Sequence, residues 1–333
     1  MDAKTEDALT KIIKITLNWV VGPILFLWLG YSVHRQVVSQ PDFKAHLQRL
    51  GEAAAGPQSW MLAAVALLVF CNWALETLKW QVLMRRLHPM GFFPAFRAVL
   101  TGVAFSLGTP NRIGDFGGRM LHLPEGKRGR SVTLSAYAAF SQLLVTLLMG
   151  LAGILLLNDR LSLAEGAWVD LLLWASVASL ILCLPVFVRP GQFARLFKRL
   201  PAWTRLAHYT SALSGLGRGE KTEVFLLSLL RFCVFGLQYC LMLAYLGAGI
   251  GWWEGFWAVA VFYLAMTLVP SVALLELGLR WQFGLLVFGL FTRNLLAVYV
   301  ASTGIWLFNL VLPGLVGGIL SLNVRLFRQA SRD

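Results

Sequence analysis

The sequence predicts an all-α polytopic membrane protein: six long transmembrane helices plus two short re-entrant helical hairpins, arranged as an inverted repeat. Three observations carry that expectation: an apolar composition, six apolar stretches of membrane-spanning length, and an internal repeat at an offset of 160 residues. The 333 residues are 58% hydrophobic and only 14% charged, with a mean hydropathy of +0.69. In a soluble domain the charged residues alone approach about a quarter. Lys and Arg number 29 against 16 Asp and Glu, a net charge of +13. Burying a cation in hydrocarbon is costly, so these charges belong in loops and at interfaces, and the basic balance points to a membrane surface rather than to nucleic acid. Cys71, Cys183, Cys233 and Cys240 lie in apolar runs without a CxxC pair, and the histidines are scattered without ligand spacing. Neither a metal site, a disulfide framework nor a cofactor is expected.

A hydrocarbon core about 30 Å thick takes roughly 20 helical residues to cross. Stretches 12–33, 60–84, 132–157, 168–188, 224–246 and 295–320 meet that length. The first follows Lys4, Lys11 and Lys14, but it is longer than a signal-peptide core and lacks a convincing cleavage site, so 12–59 reads as a retained N-terminal anchor helix with an outer loop. Residues 60–188 then form a first repeat, 189–223 a basic cytoplasmic connector and 224–333 a second repeat, all within a single integral membrane domain, 1–333. In the connector Phe193, Leu196, Phe197 and Leu200 recur at helical spacing opposite Arg195, Lys198 and Arg199, the pattern of an interfacial helix on an anionic leaflet. Stretches 95–107 and 255–269 are too short to cross, and each leads into a proline, Pro110 or Pro270. They read as the re-entrant hairpins. With the N-terminus cytoplasmic, the clusters at Arg85, Arg86 and Arg97, at 112–130, in the connector and in the tail all face the cytoplasm, as the positive-inside rule asks. Both termini are then cytoplasmic.

The repeat aligns Phe92-Phe93-Pro94-Ala95-Phe96 with Trp252-Trp253-Glu254-Gly255-Phe256, Gly91 with Gly251, and Pro110 with Pro270. Three crossings separate equivalent positions, so the second unit runs in the opposite sense. Inverted pairs of this kind bring interrupted helices toward the bilayer midplane, where helix ends and freed backbone groups bind a polar solute or head group.

The polar residues sit at these interruptions. Segment 108–119 places Arg112, Asp115 and Arg119 among glycines, with Pro110, Gly114, Gly117 and Gly118 as turn and hinge positions. Arginine presents a planar fork that matches phosphate oxygens, and Asp115 is placed to hold one arginine while no lipid is bound. In the second half Pro270, Ser271 and Gly278 take the hinge role, and Glu276 and Arg280, four apart, share a helix face. The expectation is a polar path with Arg112, Asp115 and Arg119 as its inner half and Glu276 with Arg280 as its outer half. Glu76 lies deeper, within reach of Arg97 or Arg112, whereas Lys79 and Arg231 read as side chains snorkelling to the cytoplasmic surface. Gly314 and Gly318 form a small-residue face for helix packing.

The pattern Pro110-x-Arg112-x-Gly114-Asp115 after a short apolar segment, with Pro270-Ser271 and Glu276 in the second half, resembles the flippase-like membrane domain of the lysylphosphatidylglycerol synthase family. The similarity runs from about the second span to the last. Asp115 stands where that family commonly has Glu, and Glu276-x-Gly278-x-Arg280 reverses the usual order of basic and acidic residues. The resemblance implies a stand-alone flippase-like protein of a prokaryotic cytoplasmic (inner) membrane, since the chain ends shortly after its last apolar stretch, without room for an aminoacyltransferase domain. It would translocate a phospholipid, glycolipid or polyprenyl-phosphate lipid whose anionic head group binds Arg112, Asp115, Arg119, Glu276 and Arg280. No catalytic residue is assigned on this reading. Two alternatives stand beside it: a membrane glycosyl- or group-transferase with Asp115 or Glu276 as general base, and a non-catalytic subunit of a lipid synthase or other envelope enzyme. Small-residue faces would serve that partner or a second copy of the chain.

Overall fold

The computed structural model describes residues 56–107, 109, 112–162, 167–192, 204–269 and 273–321, together with Tyr31, His34, Arg35 and Gln48. The expected anchor span, the 193–200 amphipathic stretch, Pro110, Pro270 and Ser271 lie outside the described residues. What is described is helical, with short links and no strand. In order come α1 (Trp60–Met84), α2 (Phe92–Ser106), α3 (Gly114–Met120), α4 (Glu125–Leu156), α5 (Trp168–Val188), α6 (Thr204–Ser214), α7 (Arg218–Tyr245), α8 (Trp252–Leu268), α9 (Ala273–Phe288), α10 (Leu295–Trp306) and α11 (Leu312–Ser321). A π-helical turn, Leu307–Val311, joins the last two.

Five helical segments among the described residues are long and apolar enough to cross a bilayer: α1, α4, α5, α7 and the combined stretch Leu295–Ser321. The expected 60–84 and 168–188 coincide with α1 and α5. The final span begins at Leu295 as expected, while α4 and α7 begin earlier than hydropathy suggests, because their first turns are polar. Pro124 precedes α4, with Glu125 opening its first turn. Gly217, in extended backbone, starts α7, and the Glu220 carboxylate accepts the Gly217 amide at 2.8 Å. The short stretches become α2 and α8, of 15 and 17 residues. Each starts directly after a glycine in extended backbone, Gly91 and Gly251, so the 160-residue offset holds at the helix starts.

Packing is reciprocal between the halves. The α1 helix runs along α7, α2 packs on α11 of the second half, and α8 packs on α4 of the first. Within each half the short apolar helix covers its successor, α2 on α3 and α8 on α9. One apolar core, around Tyr239, Phe262, Leu264 and Phe288, joins α7, α8 and α9 to the end of α4. Another, around Trp80, Met84, Val99 and Leu144, joins α1 and α2 to the first part of α4. At one end of the bundle Arg85 pairs with Glu223 at 2.7 Å and Arg86 with Glu220 at 2.9 Å, while Lys221 donates to the Val188 carbonyl at 2.8 Å. These contacts gather the end of α1, the start of α7 and the end of α5. In another link Asn294 donates to the Leu246 and Gly247 carbonyls and Thr292 to that of Ala248, tying the end of α7 to the start of α10.

Glycines permit the closest contacts, although not all of those expected. Gly118 lies against Gly102 and the Thr101 carbonyl, so α3 meets α2 backbone to backbone. Gly114, at the start of α3, abuts the Phe105 carbonyl. On α11 the packing pair is Gly314, against Leu107, and Gly317, against the Leu100 carbonyl, whereas Gly318 faces open space. The small-residue face therefore repeats at three residues, not four, and is covered by α2 of the same chain. Gly117, Gly118 and Gly278, expected as hinges, lie inside α3 and α9, where the helical hydrogen-bond ladder runs through them. Gly317→Val drives a side chain into the α2 backbone and is expected to cost about 1–3 kcal/mol, seen as a lower melting temperature in detergent. Gly318→Val, one residue on, should leave that temperature unchanged.

Candidate functional site

Glu76 is carried by α1 one turn before Lys79, on the flank that α7 and α3 cover. Its Oε2 forms ion pairs with Lys79 Nζ at 2.8 Å and Arg231 Nη1 at 3.0 Å, and its Oε1 lies 3.0 Å from Arg119 Nη2. Arg119 also grips Asp115, one turn back on α3, through Nη2 at 2.7 Å and Nε at 3.0 Å. Lys79 is 1% exposed, Arg119 4% and Glu76 5%, so the centre of the group is removed from solvent, while Asp115 and Arg231 at its edge are half-buried. Isolated charges would not survive there, and mutual pairing makes the burial tolerable.

A second ionic group adjoins the first. Glu276 accepts from Arg280 Nη2 at 2.8 Å and Nε at 3.0 Å, the intrahelical pair expected from their spacing. It also accepts from Arg112 Nη2, at 2.7 Å through Oε1 and 2.8 Å through Oε2. Arg112 belongs to the first half and Glu276 to the second, 164 residues on. Arg112 is the one non-glycine residue with positive φ among those described, at 57°. That left-handed backbone costs about 1–2 kcal/mol for an L-residue, and such outliers cluster at ligand-binding sites. Its side chain is 42% exposed, in contrast to the buried arginines beside it.

Both groups line one cavity of about 510 Å³, shared with Ser106, Gln142, Thr146, Tyr263, Trp306 and Asn309. This is the size of a small-ligand site. A side-chain relay supports its wall. Arg231 Nε donates to Asn72 at 2.7 Å, Asn72 Nδ2 to Asn309 at 3.1 Å, Asn309 Nδ2 to Gln238 at 2.8 Å, and Gln238 Nε2 to the Val65 carbonyl at 3.0 Å. Asn309 comes from the π-helical turn, a distortion that recurs at functional sites. The Arg231 guanidinium also lies over Trp73 and Phe235, 5.4 and 5.2 Å from the ring centres. His122, in the link after α3, contacts Thr101 Oγ1 at 3.1 Å, and burial, followed by the Arg97 charge, lowers its pKa. Among the described residues no group of His, Cys, Asp and Glu is placed to hold a metal ion.

The structure brings Arg112, Asp115, Arg119, Glu276 and Arg280 into this single cavity. Arg112, expected in the inner half of the path, pairs directly with Glu276, expected in its outer half. Glu76 pairs with Arg119, Lys79 and Arg231 rather than with Arg97 or Arg112, and Arg97 instead donates to the Leu320 carbonyl at 3.1 Å. Lys79 and Arg231 do not snorkel. Both turn to the Glu76 carboxylate instead, and Arg231 lies about 20 Å along α7 from its start at Arg218. Asn72, Gln238 and Asn309 went unnoticed in the sequence, although amides inside apolar spans are the residues that bond across membrane helices.

Fold and site together define a multi-span helical membrane protein with a buried ionic cavity between its two halves. The family model described as the lysylphosphatidylglycerol synthase TM region matches residues 15–275, and the chain belongs to that family. Glu76, Lys79, Arg112, Asp115, Arg119 and Arg231 fall within the matched residues, Glu276 and Arg280 just beyond them. No significant similarity links the chain to a curated protein or to a solved structure.

Glu76→Gln leaves three cations facing a neutral amide and is expected to cost about 3–5 kcal/mol, the usual loss when one member of a buried ionic group is removed. Lys79→Met should cost less, because Glu76 keeps Arg119 and Arg231. Chemical unfolding of the two variants in the same detergent checks the order.

Proposed function

We propose that the protein translocates a membrane lipid with an anionic head group, holding the head in the charged cavity while the acyl chains stay in the bilayer. Membership of the lysylphosphatidylglycerol synthase TM family ties the chain to lipid-related work at a membrane. The observation that carries the finer reading is the Arg112–Glu276 pair, an ionic contact between the two halves at a shared cavity inside an apolar helix bundle. In this reading α2–α3 and α8–α9 are re-entrant hairpins of an inverted repeat, entering from opposite faces. Support comes from the reciprocal packing of α2 on α11 and α8 on α4, and from helix lengths short of a full crossing.

Arg112, exposed at the cavity mouth, meets the phosphate first. Its guanidinium exchanges the Glu276 carboxylate for phosphate oxygens, a like-for-like trade in charge and fork geometry. Weak screening inside the bundle makes that attraction far stronger than in water. When the lipid leaves, Glu276 takes Arg112 back. A lipid gradient or the membrane potential drives net movement. The transferase alternative would use Asp115 or Glu276 as its base, each of which pairs with an arginine in the same cavity. The membrane is the prokaryotic cytoplasmic one, with both termini inside.

In reconstituted vesicles a headgroup-labelled anionic lipid should lose its leaflet asymmetry faster with the protein than without it. Arg112→Ala, folded as judged by its elution profile, is expected to slow that loss roughly tenfold or more, the scale of one charge-assisted contact. Equal rates with and without protein for every lipid class would overturn the reading, and an unchanged rate in Arg112→Ala would remove the site.

A further inference from the structure

The charges lining the cavity do not cancel. Among the described lining residues, five formal cations, Lys79, Arg112, Arg119, Arg231 and Arg280, face three carboxylates, Glu76, Asp115 and Glu276. The surplus divides evenly between the two ionic groups. Glu276 neutralises one of Arg112 and Arg280, leaving one positive charge. Glu76 and Asp115 together neutralise two of Lys79, Arg119 and Arg231, leaving another. A separate observation points the same way. Arg280 Nη1 is buried against the cavity without a hydrogen-bond acceptor, as are the indole N–H groups of Trp73 and Trp306. Buried donors left without a protein partner are costly until an acceptor arrives.

Building on the lipid-translocation reading, we infer that the cavity selects a lipid whose head ends in a phosphomonoester, carrying two negative charges, over one whose phosphodiester carries a single charge. A phosphomonoester bears about −1.5 to −2 at neutral pH and offers three terminal oxygens. One such group neutralises the surplus on both sides of the cavity at once. Its oxygens also serve donors on both sides: Arg112 and Arg280 from the Glu276 group, and the cations around Glu76 from the other. A phosphodiester brings one charge and two free oxygens, so one ionic group keeps its surplus. Inorganic phosphate shares the chemistry of the monoester head but gains nothing from acyl chains.

The test measures binding to the full chain in detergent by native mass spectrometry at about pH 8, where the monoester is close to doubly charged. The probes are tail-matched dioleoyl phosphatidate, phosphatidylglycerol and phosphatidylcholine, with inorganic phosphate as competitor. Phosphatidate should be retained roughly tenfold or more over phosphatidylglycerol, with phosphatidylcholine weakest. Arg231→Met, which removes one surplus charge while Glu76 keeps Lys79 and Arg119, should bring phosphatidate and phosphatidylglycerol toward parity. Phosphatidylglycerol bound as well as phosphatidate by the unmodified protein overturns the inference, whether or not the variant folds. So does an unchanged preference in a folded Arg231→Met. If inorganic phosphate displaces phosphatidate at equal concentration, the two-charge ligand stands and the lipid reading falls. Selective phosphatidate binding without lipid movement in vesicles upholds the inference and sinks translocation alone.

Discussion

The Glu76 carboxylate, carried on an apolar helix and shut away from water, is the constraint around which the rest of the molecule is arranged. It is stable there only because cations from three elements converge on it: Lys79 from α1, Arg119 from α3 and Arg231 from α7. That convergence sets the register in which α1 lies along α7. It also anchors α3, whose seven residues are too few to hold a helix in isolation. Buried ionic groups contribute little net stability compared with apolar packing, but they penalise any arrangement that separates the partners. The fold therefore gains a defined geometry here more than strength.

Burial of the charges depends in turn on how the halves exchange elements. Because α2 rests on α11 and α8 on α4, neither half encloses its own polar residues, and the cavity exists only where the two meet. Backbone-close contacts make the exchange tight: Gly317 of α11 admits the Leu100 carbonyl of α2, and Gly153 of α4 admits the Trp257 carbonyl of α8. The π turn contributes what a regular helix would not. It presents Asn309 toward Asn72 and Gln238, and through Asn72 the relay reaches Arg231. Polar residues of α1, α7 and the final span thus form one connected wall.

Within that wall Arg112 differs from the other arginines. It stands at the start of α3 with positive φ, partly exposed, and its carboxylate partner comes from the other half. Backbone strain, exposure and an ionic contact across the halves meet at one residue. Arg119 and Arg280, by contrast, are held on helices by acids one turn away, Asp115 and Glu276. The cavity thus combines a buried ionic lining with one partly exposed arginine whose partner comes from the other half.

Much of this was legible from composition and spacing. Membrane class, the spans at 60–84 and 168–188, the two short apolar helices and their offset follow from hydropathy and repetition, and Glu276 with Arg280 follows from helical spacing. These are properties of one segment at a time, and a segment's apolar run or turn period is written in its own residues. The first turns of α4 and α7 were missed because hydropathy is blind to a polar turn that remains helical. Which charges meet was decided only by tertiary structure. By spacing alone Lys79 and Arg231 read as surface anchors and Glu76 as a partner for Arg97 or Arg112, whereas the pairing actually formed depends on the helix packed against each residue. A contact such as Arg112–Glu276, spanning 164 residues, arises from the packing of the two halves and leaves no local pattern in the chain.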